Sequence, residues 1–269
     1  MNREDEFYVG YLKPMPRDVA RRVQMAVLWL GTAVIGVGVM AAGLQSDAGD
    51  GRWETAPAEV FGRFVASPFP MVKVEGEGGV RTVLLVGEGK CGAFSPEGDC
   101  GLLGGDGNDP AAARRAAMEL FEGRIVRARG TRISRDGREM LELASGPTAV
   151  AVIHEGREAE HREAPPMERV WLRGRIVDAK CYLGAMKPGD GKTHRGCAVR
   201  CIEGGIPPVL VVPAAGGPRY YLLSMGERTA SVVPFVGDDV EVEGDAEAEG
   251  DLRVLRVEQG SLRRCTIER

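Results

Sequence analysis

The chain has 269 residues, with 35 Lys and Arg against 39 Asp and Glu and a formal net charge of -4. This balance excludes the net basic face that nucleic-acid binding requires, so no nucleic-acid partner is expected. The composition also excludes collagen, coiled-coil and disordered classes, and the length allows one large domain or two small ones.

The first predicted element is a single transmembrane helix over residues 23–44. This run is apolar apart from Gln24 and contains no charge, and as a helix it would be about 33 Å long, enough to cross a bilayer. Arg17, Arg21 and Arg22 precede it and acidic residues follow it. The positive-inside rule therefore predicts an inner-membrane protein with a cytoplasmic N-terminus and periplasmic or otherwise extracytoplasmic domains. A cleaved signal peptide is the main alternative, although its apolar region is usually about 7–15 residues long.

The predicted cytoplasmic head, residues 1–22, carries three aromatic residues in the stretch EFYVGYLKPMP. A head of this length is too short to fold alone. The stretch resembles the segment that precedes the anchor in some bacterial membrane proteins linked to respiratory chains. That resemblance implies a respiratory or redox membrane complex as partner, whereas the alternative is an aromatic belt at the membrane interface.

The part of the chain after the predicted helix contains an internal sequence repeat. Six positions recur 114 residues later, and residues 62–65 (GRFV) recur as residues 174–177 (GRIV); the six pairs are Phe121/Phe235, Gly123/Gly237, Val126/Val240, Gly130/Gly244, Leu141/Leu255 and Leu143/Val257. Two copies of one domain explain both matches. The predicted organisation is a linker at 45–56, module 1 at 57–153, a charged, proline-containing linker at 154–168 and module 2 at 169–269.

Each module is predicted to consist mainly of β-strands. In module 2, apolar patterns bounded by Gly and Pro mark strands at 170–177, 208–212, 220–223, 239–243 and 252–257. Five strands favour a small closed barrel like the oligonucleotide/oligosaccharide-binding (OB) fold, which accommodates insertions between its strands. A β-sandwich is the structural alternative. In module 1, Asp109 and Pro110 are typical of a helix start ahead of the fourth strand.

Candidate chemistry lies in residues 181–208, CYLGAMKPGDGKTHRGCAVRCIEGGIPP. Thr193 is predicted to cap a short helix that Gly204 ends. On that helix His194, Cys197 and Cys201 occupy positions i, i+3 and i+7, so their side chains would share one face.

Cys181 lies at the end of the preceding strand and could complete a Cys3His set with those three residues. This is the ligand number and type of a tetrahedral zinc site. Zinc or another transition metal is therefore the candidate cofactor. A c-type haem is disfavoured because the sequence has no Cys-x-x-Cys-His motif.

Structural disulfides are the more ordinary interpretation of these cysteines, because cysteines outside the cytoplasm usually pair. Cys91 and Cys100 flank a loop rich in Gly, Pro and Asp and form the easiest local pair, while Cys181 can pair with Cys197 or Cys201. Connectivity cannot be deduced from sequence.

Module 2 also resembles a group of poorly characterised bacterial envelope proteins with the pattern KCY, H-x-x-C-A-x-x-C and GG-x-P. The matching residues are Lys180, Cys181, Tyr182, His194, Cys197, Ala198, Cys201, Gly204, Gly205 and Pro207. The resemblance implies a common site and no settled activity. Module 1 lacks a His companion for its cysteines, which suggests a copy that kept the barrel and lost the site.

The sequence shows no serine nucleophile elbow and no spaced carboxylate dyad, so an enzyme is less expected than a binding protein. It predicts a membrane-anchored extracytoplasmic accessory or binding subunit near an envelope electron-transfer system. The alternatives are a thiol-disulfide oxidoreductase that uses Cys197 and Cys201, and a scaffold in which every cysteine is paired.

Overall fold

The computed structural model describes residues 16–43, 51–94, 116, 118–154 and 166–266. The chain forms two compact units, residues 1–47 and 48–269. The first unit contains helix α1 (Arg17–Gly43), which is long and apolar enough to cross a membrane. Its large apolar side chains from Val23 to Met40 are all exposed, as expected for a helix that is apolar on every side and suited to lipid.

The second unit begins with a five-stranded barrel, barrel 1. Its strands are β1 (Arg52–Val65), β2 (Met71–Gly76), β3 (Gly79–Val86), β4 (Ile125–Arg135) and β5 (Arg138–Leu143). They pair in the order β1-β2-β3-β5-β4, and pairing of β4 with β1 closes the barrel. Only the β3–β5 pair of this ring is parallel, and β6 (Val150–His154) adds to the outer edge of β4.

Barrel 2 repeats this topology. Its strands are β7 (Glu168–Asp178), β8 (Pro208–Val212), β9 (Arg219–Ser224), β10 (Asp239–Glu249) and β11 (Leu252–Val257), in the order β7-β8-β9-β11-β10 with β10 closing on β7. The β9–β11 pair is parallel and β12 (Arg263–Arg264) adds to β10. The predicted mainly-β architecture of two OB-like barrels is confirmed, and the sandwich alternative is wrong.

The glycines that recur in the sequence repeat lie at equivalent positions in the two barrels. A Cβ at Gly62 or Gly174 would lie 2.3 or 2.5 Å from a carbonyl oxygen of the next strand, and at Gly130 or Gly244 the distance would be 1.9 or 2.2 Å. Glycine in a strand often marks such a close backbone approach. The common topology therefore accounts for the recurring glycines, while duplication of one ancestral domain stays a prediction.

Three apolar clusters stabilise the second unit. One fills barrel 1 around Phe64 and another fills barrel 2 around Leu210. The third lies between the barrels and combines residues of both, including Met71, Leu84 and Met140 with Val177, Leu222 and Val254. Each fully buried side chain of this size contributes about 1.5–3 kcal/mol through the hydrophobic effect, so the barrels are packed against each other.

Polar contacts accompany this apolar interface. The Arg135 guanidinium of barrel 1 stacks on the Tyr182 ring at 4.4 Å and donates to the Tyr182 carbonyl at 2.6 Å. The backbone N–H of Thr82 donates to Asp251 Oδ1 at 2.7 Å. In both hydrogen bonds a donor of barrel 1 meets an acceptor of barrel 2, and together they help to fix the orientation of one barrel on the other.

The two barrels differ in the connection between their first two strands. In barrel 1 it is residues 66–70, whereas in barrel 2 residues 179–207 contain a one-turn helical segment, Cys181–Ala185, and helix α2 (Gly191–Glu203). The insertion that carries the candidate chemistry is thus a first-to-second-strand loop, one of the loops that flank the binding face in OB folds.

One local prediction is wrong, and another is tested only in part. Helix α2 begins two residues before Thr193, with Asp190 at the cap position, so Thr193 is not its cap; Gly204 does end the helix. The chain turns into the helix at Gly191, whose φ of 72° only glycine adopts readily. Of the helix predicted from Asp109, Ala116 and residues 118–121 are helical, and the rest lies outside the described residues.

Candidate metal centre

Three thiols meet where β7 runs into the insertion. Cys181 opens the one-turn segment after β7, and Cys197 and Cys201 lie one turn apart on α2. The Cys181 Sγ is 3.9 Å from the Cys197 Sγ and 3.8 Å from the Cys201 Sγ. All three sulfurs lie within 4.8 Å of one another.

These separations are too long for a disulfide and are compatible with a shared metal ion. A disulfide requires about 2.05 Å between sulfurs, and Cys181, Cys197 and Cys201 are free thiols in the structure. Two sulfurs bound to one tetrahedral zinc at about 2.3 Å would lie about 3.8 Å apart. The sulfur spacing therefore matches a shared ion, and pairing of Cys181 with either helix cysteine is not supported.

His194 shares Cys181 with this cluster but does not form one group with all three thiols. Its ring is 4% exposed, and one of its nitrogens, the Asp178 carboxylate and the Cys181 Sγ lie within 4.8 Å of one another. His194 Nε2 is 3.2 Å from Asp178 Oδ2, which leaves Nδ1 as the nitrogen available to a metal. Histidines that bind metals usually make such a hydrogen bond to a carboxylate through the other ring nitrogen.

Asp178 is the residue that the sequence analysis missed. Its side chain is 0% exposed, and its Oδ1 accepts the backbone N–H of Cys181 at 2.8 Å. The carboxylate thus orients both His194 and the segment that carries Cys181. The sequence feature that could have indicated Asp178 is an acidic residue directly after the apolar end of a strand, in the stretch RIVDAKC.

The three thiols differ in acidity. A hydrogen bond with the Cys201 thiol, burial and the Asp178 carboxylate raise the pKa of Cys181, and burial raises the pKa of Cys197. The hydrogen bond from Cys181 lowers the pKa of Cys201. A metal ion bound by the three sulfurs would displace their protons.

Residues of barrel 1 contact the insertion on both sides of the three thiols in sequence. The Lys180 side chain is buried next to Cys181, and its Nζ donates to the carbonyl oxygens of Gly89 at 2.6 Å and Gly87 at 3.0 Å and pairs with Glu142 Oε1 at 2.7 Å. The backbone N–H of Gly92 donates to the carbonyl of the residue that ends α2, at 2.8 Å. Both ends of the insertion are thus fixed to barrel 1.

Of the other described cysteines, neither Cys91 nor Cys265 joins the cluster. Cys265 is a free, half-buried thiol just after β12, and burial raises its pKa. Cys91 is buried after β3, but Cys100 lies outside the described residues, so the Cys91–Cys100 disulfide stays a prediction. Comparisons of the chain with protein-family models, with curated proteins and with solved structures found no match.

Proposed function

We propose that this chain is a membrane-anchored metal-binding protein in which Cys181, Cys197, Cys201 and His194 hold one transition-metal ion, with zinc the best fit. The 3.8 and 3.9 Å separations of the sulfurs are the observation that carries the proposal. Thiolate and imidazole ligands favour zinc and other soft or borderline metals over magnesium and calcium. Four protein ligands satisfy the tetrahedral preference of zinc.

Because the protein would supply all four ligands, we assign the ion a structural or regulatory role. Catalytic zinc sites keep one position for water or substrate, whereas four protein ligands leave none. In this chain the ion would cross-link the end of β7 to α2. The free energy of metal binding would then also stabilise the folded insertion, because the cysteines come together only in the folded chain.

We place the barrels outside the cytoplasm, as an accessory subunit of an envelope electron-transfer complex. Support comes from α1, from the arginines before it and the acidic residues after it, and from the resemblance of the head to respiratory membrane proteins. Labelling of Cys265 in sealed spheroplasts by a membrane-impermeant maleimide should succeed without lysis. Labelling only after lysis would contradict this topology.

The metal proposal is tested on the full chain purified in detergent. Native mass spectrometry with elemental analysis should find about one zinc per chain in wild type and none in Cys197→Ser or Cys201→Ser. Cys265→Ser is the matched control, since it removes a thiol outside the cluster. A metal-free wild type, or zinc retained by the variants, would contradict the proposal.

A thiol-disulfide oxidoreductase is a second candidate. The sequence suggested Cys197 and Cys201 as its thiols, whereas the contacts favour Cys201 and Cys181, because a hydrogen bond with Cys181 lowers the Cys201 pKa and the two sulfurs lie 3.8 Å apart. That function predicts a metal-free protein that cycles between the dithiol and a disulfide, two hydrogens lighter, while it reduces an added disulfide. The same mass measurement separates the two candidates.

A further inference from the structure

A cleft of about 750 Å³ lies on barrel 1, along β1, β4 and the end of β5. Its lining includes Trp53, Glu59, Glu88, Arg129, Thr131 and Ser145, and none of the four proposed metal ligands. Its volume falls within the range typical of small-molecule sites, roughly 300–1,000 Å³. The cleft is therefore a candidate binding site that is independent of the metal centre.

Trp53 provides an aromatic surface in this cleft. The residue is 41% exposed even though it belongs to a paired strand. The register between β1 and β4 shifts between Trp53 and Pro57, and irregularities of this kind redirect side chains. The buried Lys180 ammonium lies 5.8 Å from the centre of the indole ring. This cation comes from barrel 2, and its interaction with the ring helps to fix the ring in place.

The charged groups of the cleft already have partners within the protein. Glu59 Oε1 is 3.4 Å from Arg129 Nε, and Glu142 pairs with Lys180 at 2.7 Å. The Ser145 hydroxyl donates to Glu88 Oε2 at 2.6 Å. A fully charged ligand would have to displace these contacts, and an anion would also meet three carboxylates.

A neutral ligand with many hydroxyls fits this arrangement better. Each hydroxyl donates one hydrogen bond and accepts others, so it can bond to a carboxylate and a guanidinium that face each other. The C–H face of a pyranose ring is apolar and can cover an indole, whose flat surface contributes most through burial. We propose that this cleft binds a neutral saccharide, with Trp53 as the stacking surface and the Glu59–Arg129 pair as the hydroxyl-binding group.

The test uses the full chain in lipid nanodiscs free of glycoside detergents. Calorimetric titration with cellotetraose, maltotetraose and tetra-N-acetylchitotetraose should detect binding of at least one at millimolar concentration or below. Trp53→Ala should weaken that binding by about tenfold or more, because it removes the aromatic contact, and Glu59→Gln should weaken it because it removes the charge that orients Arg129.

Trp171→Ala is the matched control. Trp171 is an exposed tryptophan of β7 in barrel 2 and does not line this cleft, so its loss should leave the affinity unchanged. Thermal unfolding of each variant verifies the fold, and Trp53→Phe should keep part of the affinity even if Trp53→Ala misfolds. Absence of binding by all three sugars, equal binding by folded Trp53→Ala, or binding of choline in their place would overturn the proposal.

Discussion

At the scale of single residues, Asp178 holds the proposed metal ligands in place. We expect Asp178→Asn to lower zinc affinity by about 10–100-fold, the usual effect of losing a carboxylate that orients a metal-bound histidine. The amide keeps the size of the side chain but cannot accept hydrogen bonds with both terminal atoms, as the carboxylate does for Cys181 and His194. Competition with a chromogenic chelator measures the change.

Asp190→Asn is the control for this prediction. Asp190 lies at the start of the same helix but pairs with Arg175 at 3.3 Å, so its substitution should leave zinc affinity intact. Equal affinities for wild type and Asp178→Asn would show that the buried carboxylate does not support the site.

The sequence predicted some of the site residues and missed others for a physical reason. His194, Cys197 and Cys201 were predictable because helical spacing alone puts them on one face. Asp178 and Lys180 were not, since their roles depend on folded contacts: the Lys180 ammonium binds carbonyl oxygens 91 and 93 residues earlier in the chain. No local pattern records such partners.

At the scale of elements, α2 contains a glycine that its geometry does not require. Gly196 is exposed, and a Cβ there would meet nothing within 4 Å. Gly196→Ala should therefore raise the free energy of unfolding by about 0.8–1 kcal/mol, the helix-propensity difference between the two residues. Urea unfolding measures the gain, and zinc stoichiometry should not change.

Gly244→Ala provides the contrast, because the same substitution in β10 would place a Cβ 2.2 Å from the carbonyl oxygen of Arg256. It should destabilise the protein, as the strands must separate to admit the methyl group. If Gly244→Ala raised the free energy of unfolding as Gly196→Ala does, the close approach of β10 to β11 at Gly244 would be contradicted.

Strand positions followed from the sequence, but their pairing did not. The predicted strands at 208–212 and 252–257 match β8 and β11, whereas β10 extends to Glu249, beyond its predicted end at 243. Residues 244–249 (GDAEAE) have only small apolar residues, so their alternation is weak. The parallel β9–β11 pair depends on closure of the whole barrel, which no single strand encodes.

At the scale of the whole molecule, a buried ion pair joins the two barrels. We expect Lys180→Met to lower the free energy of unfolding by about 3–5 kcal/mol, because it removes the ammonium that neutralises the largely buried Glu142 carboxylate. The double variant Lys180→Met/Glu142→Leu should recover much of this loss, since no unpaired charge remains. Chemical unfolding followed by circular dichroism measures both, and a neutral single variant would contradict the role of the pair.

The sequence predicted two barrels but not the apolar cluster between them. Residues such as Met71, Leu84 and Leu222 have the same alternating pattern as residues of a barrel interior, so nothing local shows that they face another domain. The consequence concerns the candidate metal centre, because Cys181 and Cys201 belong to that shared cluster. The centre is therefore built by both barrels, although all its proposed ligands come from barrel 2.

The most direct measurement is X-ray absorption at the zinc K-edge on the full chain loaded with one equivalent of zinc. We expect three sulfur neighbours at about 2.3 Å and one nitrogen at about 2.0–2.1 Å, and a smaller sulfur contribution in Cys201→Ser. A shell of oxygen and nitrogen only, or a spectrum unchanged by that substitution, would contradict a metal centre at Cys181, Cys197 and Cys201.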